Sequence, residues 1–145
     1  MNDRLRQRIE ALREKLRNEP AAPLIGDVPE GIARPNSGSA FWDEFLAISD
    51  GGRYGSVDLF ANRNLSTNQF WLEQIALKDA IVVGQILYRP LLLDLKSNHL
   101  LFAADGSEPM DLGHADVVLE TQFLGSGYGQ LDPSFKEDEW WDLVR

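Results

Sequence analysis

The stretch Phe41–Phe60, FWDEFLAISDGGRYGSVDLF, constrains the fold more than any other part of the chain. Phe41, Trp42, Phe45, Leu46 and Ile48 recur at the spacing of one apolar helix face. Ser39 stands where an N-cap belongs, and Asp43 and Glu44 fall early, where the helix dipole favours negative charge. Asp50-Gly51-Gly52 ends the helix, because two glycines supply the positive φ that a C-cap and a tight turn require. Val57-Asp58-Leu59-Phe60 then reads as a short edge strand. The stretch is helix, double-glycine turn, strand.

The flanking sequence extends that pattern. From Asp3 to Asn18, Leu5, Ile9, Leu12 and Leu16 make one helical stripe, and Glu14 and Arg17 are an i,i+3 pair on the charged side. Residues 19–39 contain Pro20, Pro23, Gly26, Pro29, Gly31, Pro35 and Gly38, a density that predicts a wrapped loop without a helix or long strand. Ser66 or Thr67 is positioned to cap a helix running to about Asp79, with Phe70, Trp71, Ile75 and Leu77 on its apolar side. Ala80–Leu87, Leu91–Leu95 and Leu100–Ala104 read as strands. Lys96-Ser97-Asn98 is a hairpin loop between the last two. The unbroken Leu91-Leu92-Leu93 predicts a central strand covered on both faces. Asp105–Pro109 reads as a turn, Gly113–Leu124 as a loose helical face, and Trp140, Trp141 and Val144 as the apolar contacts of a last short helix behind Ser134. The expected fold is α+β, a mostly antiparallel sheet of four or more strands with packed helices. A single domain spans residues 1–145: helix 3–18, loop 19–38 and core 39–145.

Composition removes several kinds of chemistry. The chain has no cysteine, so disulfides, thiolate metal sites and a cysteine nucleophile are excluded. Its longest apolar runs are far below the ~18 residues of a membrane span. The charged start from Asp3 onward predicts no signal peptide, and together these features fit a cytoplasmic protein. The formal net charge is −9, and residues 97–145 alone carry ten acidic and two basic side chains. That imbalance repels phosphate backbones and argues against nucleic acid. It suits a basic protein partner, or simply solubility.

His99 and His114, the only histidines, lie in no nucleophile motif. Asp105, Glu108, Asp111 and His114 do not match a Ca²⁺ loop, and Gly125-Ser126-Gly127-Tyr128-Gly129 is followed by no lysine and preceded by no strand. No catalytic residue, cofactor or metal is expected. What remains is acid interleaved with aromatics near the C-terminus: Tyr128, Asp132, Phe135, Glu137, Asp138, Glu139, Trp140 and Trp141. Aromatic anchors ringed by charge are the composition of a protein-binding hot spot; equally, the tryptophans could pin the last helix to the core. Asp50 and Asp58 form a second acidic candidate surface.

Phe45-Leu46-Ala47-Ile48-Ser49-Asp50-Gly51-Gly52 resembles the helix and Gly-Gly turn of the SUKH superfamily, small bacterial immunity proteins related to a fungal cell-wall regulator. Val28-Pro29 is similar to that family's Leu-Pro ahead of the helix. Ile81-Val82-Val83-Gly84 with Pro90–Leu95 resembles its central strands, and Phe123–Tyr128 with Asp138-Glu139-Trp140-Trp141 resembles a C-terminal tail of some members. The chain departs from the pattern in the long Arg34–Ser39 loop and in Asp50, where Asn is more usual. The resemblance implies a non-catalytic immunity protein that binds a basic toxin domain, often a nuclease, with no nucleic-acid or membrane partner. The partner-binding candidates are Asp50, Asp58, Tyr128, Asp132, Glu137, Asp138, Glu139 and Trp140. A scaffold or signalling adaptor of the fungal type is the alternative.

Overall fold

The leucine and isoleucine stripe at the start of the chain becomes the buried side of a helix, α1 (Asp3–Arg17). Asn2 caps it, its side chain accepting the Leu5 N–H at 2.8 Å. Leu5, Ile9 and Leu12 are wholly inaccessible, and each such side chain stabilises the fold by about 1.5–3 kcal/mol. The structure is a computed structural model that describes residues 1–75, 77–104 and 108–145.

Seven antiparallel strands follow one another across a single sheet in chain order: β1 (Gly26–Asp27), β2 (Gly52–Tyr54), β3 (Val57–Leu59), β4 (Ala80–Ile86), β5 (Arg89–Asp94), β6 (His99–Phe102) and β7 (Met110–His114). Five further helices accompany α1 among the described residues: α2 (Ala22–Ile25), α3 (Ala40–Leu46), α4 (Trp71–Ile75), α5 (Ala115–Val118) and α6 (Glu139–Val144). The fold is α+β, and each strand pairs with its neighbours in sequence.

Alternation along β5 divides the core. Leu91 and Leu93 join the main cluster with α1, α3, α5 and α6, whereas Leu92 joins a second cluster with Val82, Ala80 and Ala103. Trp71, Leu72 and Ile75 of α4 pack on that second cluster. Both faces of β5 are therefore covered, as its continuous apolar run implies. In β4, Val82 pairs with Leu92 and Gly84 with Leu91, so Val83 is a one-residue bulge. Val82 and Val83 serve opposite clusters by ordinary strand alternation, and the extra residue shifts the phase so that Ile86 joins Val83 in the main cluster instead of following Val82.

Ser39 caps α3 as its sequence position implies, its hydroxyl accepting the Trp42 N–H at 3.0 Å. After α3 the chain turns through Gly51 (φ 72°) and Gly52 (φ 141°). Arg13 of α1 holds the approach to this turn, donating to the carbonyls of Val28, Pro29 and Ile48.

The expected Ala80–Leu87 strand ends at Ile86, with Leu87 in the turn, and four further expectations need correction. Val57–Leu59 is an inner strand, since β2 and the two-residue β1 lie outside it. The proline- and glycine-rich segment holds β1 and the four-residue α2, begun by a proline near its N-terminus where the missing N–H costs nothing. The helix expected from Ser66 to Asp79 is one short 3-10 turn, Ser66–Asn68, and the five-residue α4; Ala76 lies outside the described residues. Gly113 and His114 belong to β7, and only Ala115–Val118 is α-helical, followed by a π-turn at Leu119–Phe123. Of the expected Asp105–Pro109 turn, residues 105–107 lie outside the described ones.

Candidate partner-binding surface

The β2–β3 hairpin closes at Gly55-Ser56, and the C-terminal segment is fastened to that turn. The Tyr128 hydroxyl accepts the Ser56 N–H at 2.8 Å and donates to Asp138 Oδ2, which also accepts the Ser56 hydroxyl at 3.0 Å. The Tyr128 ring is stacked on Phe135 at 4.8 Å. Burial, and then the neighbouring Asp138 carboxylate, push the Tyr128 phenol well above the ordinary tyrosine range. Three short elements that could not hold position alone are thereby tied together: the β2–β3 turn, the 3-10 turn Ser126–Gln130 and the start of α6.

Tyr128 and Trp140 are core residues, which corrects their assignment to a binding surface. Both are 0 % exposed. The Trp140 indole N–H donates to the Phe123 carbonyl at 2.8 Å and its ring lies 5.6 Å from Tyr54. With so large a payload and a satisfied polar edge, each ring gains more inside than a partner could offer outside. Trp141 is partly buried, its N–H donating to the Ser126 carbonyl at 3.0 Å under the Arg145 guanidinium.

The acids separate by role. Asp138 is half-buried and holds Ser56 and Tyr128. Asp132 caps the 3-10 turn Pro133–Glu137, accepting from the N–H and hydroxyl of Ser134 at 2.9 and 2.7 Å, and these bonds keep its carboxyl below the usual range. Glu137 and Glu139 are exposed on either side of Asp138. Asp50 sits at the opposite, open end of the β2–β3 hairpin, where it accepts the Asn62 N–H at 2.8 Å. Asp58 is half-buried on β3 and accepts from the Gln85 side chain at 3.1 Å. It belongs to a cross-strand row of Asp27, Arg53, Asp58 and Gln85. Opposite charges facing one another across strands stabilise a pairing modestly, by about 0.2–1 kcal/mol. The structure thus gathers Tyr128, Asp138, Glu137, Glu139 and Trp140 around the Ser56 turn, and leaves Asp50 at the far end. Ser56 and Arg53 had no signal in the sequence, because only the register of strands three residues long brings them into contact.

The histidines form a pair of their own. His99 and His114 are direct cross-strand partners with rings edge-on at 6.1 Å, and His99 Nδ1 lies 3.0 Å from Asp111. The Ser97 hydroxyl accepts the His99 backbone N–H. Among the described residues no group of three or more acidic or histidine side chains is placed to hold a metal ion. None of their helices is long and apolar enough to cross a membrane. The chain matches no family model and no curated protein.

Proposed function

We propose that this protein is a non-catalytic immunity protein of the SUKH type, which neutralises a toxin domain by presenting acid to a basic surface, a nuclease being the class of toxin that charge favours. The observation that carries the reading is the placement of Glu137 and Glu139. They are exposed, they flank a carboxylate that is itself locked in place, and they stand on a frame fixed by the Tyr128–Asp138–Ser56 bonds. Fixed acids in a strongly acidic third of the chain create a field that accelerates encounter with a basic partner. The helix, double-glycine turn and strand in SUKH order supply the family half of the reading.

The test is association kinetics of the Glu137→Lys, Glu139→Lys double variant with the inactivated cognate toxin domain, across a salt series. Expected are a lower on-rate, a flatter salt dependence and an unchanged melting temperature. Asp138 is left intact because its replacement would damage the fold. An unchanged on-rate at low salt would move recognition elsewhere.

A further inference from the structure

The β4–β5 hairpin has a two-residue loop, Leu87-Tyr88, closed by the pair Ile86 and Arg89. In the type I′ form of such a loop both central residues take positive φ, which is why Asn-Gly and Gly-Gly dominate it. Here Leu87 has φ 50° and Tyr88 φ 65°. A β-carbon at that conformation crowds the following carbonyl, and strain of this kind concentrates where the surroundings or the function require it. The surroundings give no reason. Tyr88 is 81 % exposed and Leu87 44 %, and neither joins either apolar cluster. A tyrosine and a leucine are thus held in water, on an unfavourable backbone, at the tip of a hairpin whose two strands are each paired on both sides.

The tip has defined neighbours. Val57 pairs with Ile86, so the Ser56 turn and the Leu87 turn are adjacent ends of neighbouring strands, about 5 Å apart by strand spacing. Ser56 in turn holds Asp138. Exposed Met110 opens β7 at the same end of the sheet. The exposed aromatic ring expected of Tyr128 and Trp140 is found in Tyr88, with exposed Arg89 next to it and the Asp138 segment across the Ser56 turn. We propose that the Leu87-Tyr88 tip is the apolar anchor with which this chain seats on its toxin, and that the partner surface offers a pocket for a tyrosine ring within a basic rim. Charge complementarity with the Glu137 and Glu139 side commits the occupant to a basic protein. This inference rests on the immunity reading and adds the contact that reading lacks.

The deciding variant is Leu87→Asn with Tyr88→Gly, which gives the turn the residues it favours and removes both apolar side chains. The probe is the same inactivated toxin domain. Expected are a raised melting temperature and at least a hundredfold weaker binding, mostly from faster dissociation. Tyr88→Phe, which keeps the ring, is expected to stay within about threefold of wild type. If wild type binds and the double variant binds equally well, the anchor assignment is overturned while the immunity reading survives. If wild type itself does not bind, both fall. A wild-type dimer in sedimentation that the double variant dissolves would show the tip seated on a second copy of the chain, and would overturn the toxin as its occupant.

Discussion

Two of the turns that take left-handed backbone in this molecule meet its demand in opposite ways. After α3 the chain uses Gly51 and Gly52, and everything around them is built to fit. A β-carbon on Gly51 would stand 2.4 Å from the Leu59 carbonyl oxygen and 2.6 Å from the Ala61 nitrogen. The Gly51 carbonyl accepts from the buried Ser49 and Tyr54 hydroxyls at 2.7 and 3.2 Å, and Asp50 accepts the Asn62 N–H. The β4–β5 turn uses Leu87 and Tyr88, touches neither core cluster and stands in solvent. The first turn is what selection for a stable fold produces; the second keeps side chains that the fold does not use. Local conflict with an otherwise consistent sequence is a mark of function.

The comparison can be broken by the sign of simple substitutions. Gly51→Val is expected to cost about 2–5 kcal/mol, from the left-handed backbone and from the collision with β3, as a lower urea midpoint. Gly52→Val should act in the same direction, with its β-carbon 2.7 Å from the Asp27 carbonyl oxygen. Tyr54→Phe, which removes the phenol bonded to Ser49 and Gly51, is expected to cost about 1–2 kcal/mol.

The same tyrosine sets a pH window. Burial raises its phenol above the ordinary tyrosine value. The neutral form is therefore the one the fold favours, so its stabilisation is complete below about pH 10 and is lost as pH rises beyond that. Urea midpoints should fall in alkali for wild type and fall less steeply for Tyr54→Phe, the remaining slope belonging to Tyr128. At the second turn the sign reverses: Tyr88→Gly should raise stability by up to about 1 kcal/mol, relief of strain being partly offset by glycine's greater freedom when unfolded. A loss of stability there would show that the ring is structural. The smallest effect is expected of Glu137→Lys with Glu139→Lys, within about 0.5 kcal/mol of wild-type stability, because neither side chain packs.

Periodicity made the long elements legible. The α1 stripe, the Ser39 cap, the Gly-Gly turn and the runs that became β4, β5 and β6 could all be read, since each signal lies within one element. What could not be read lies between elements. The two-residue β1 and the three-residue β2 have no alternation to detect, so in the sequence Val57–Leu59 reads as an edge strand. Leu87-Tyr88 carries none of the Gly, Asn or Asp that mark a hairpin, so in the sequence Leu87 reads as part of its strand. At the C-terminus the composition was clear but the burial was not. Tyr128 and Trp140 are buried by Ser56, Phe123 and Tyr54, from turns and strands up to 86 residues away in the chain.

The order of the sheet bears on how the molecule folds. Each strand pairs only with its sequence neighbours, and β2–β3, β4–β5 and β5–β6 have short loops, so these hairpins can zip up locally with little loop-closure entropy to overcome, whereas residues 28–51 separate β1 from β2 and residues 60–79 separate β3 from β4. The Arg8 guanidinium does the opposite, donating to the carbonyls of Leu124 at 2.9 Å and Val144 at 2.7 Å, 116 and 136 residues away. Contacts of such separation are the last a hairpin-first pathway would form. Arg8→Ala should therefore leave the refolding arm of a chevron almost unchanged and steepen nothing, while raising the unfolding rate by the whole of the lost stability. Arg8 would then act as a latch on an already assembled fold, setting how long the native state lasts and leaving the speed of its formation to the hairpins.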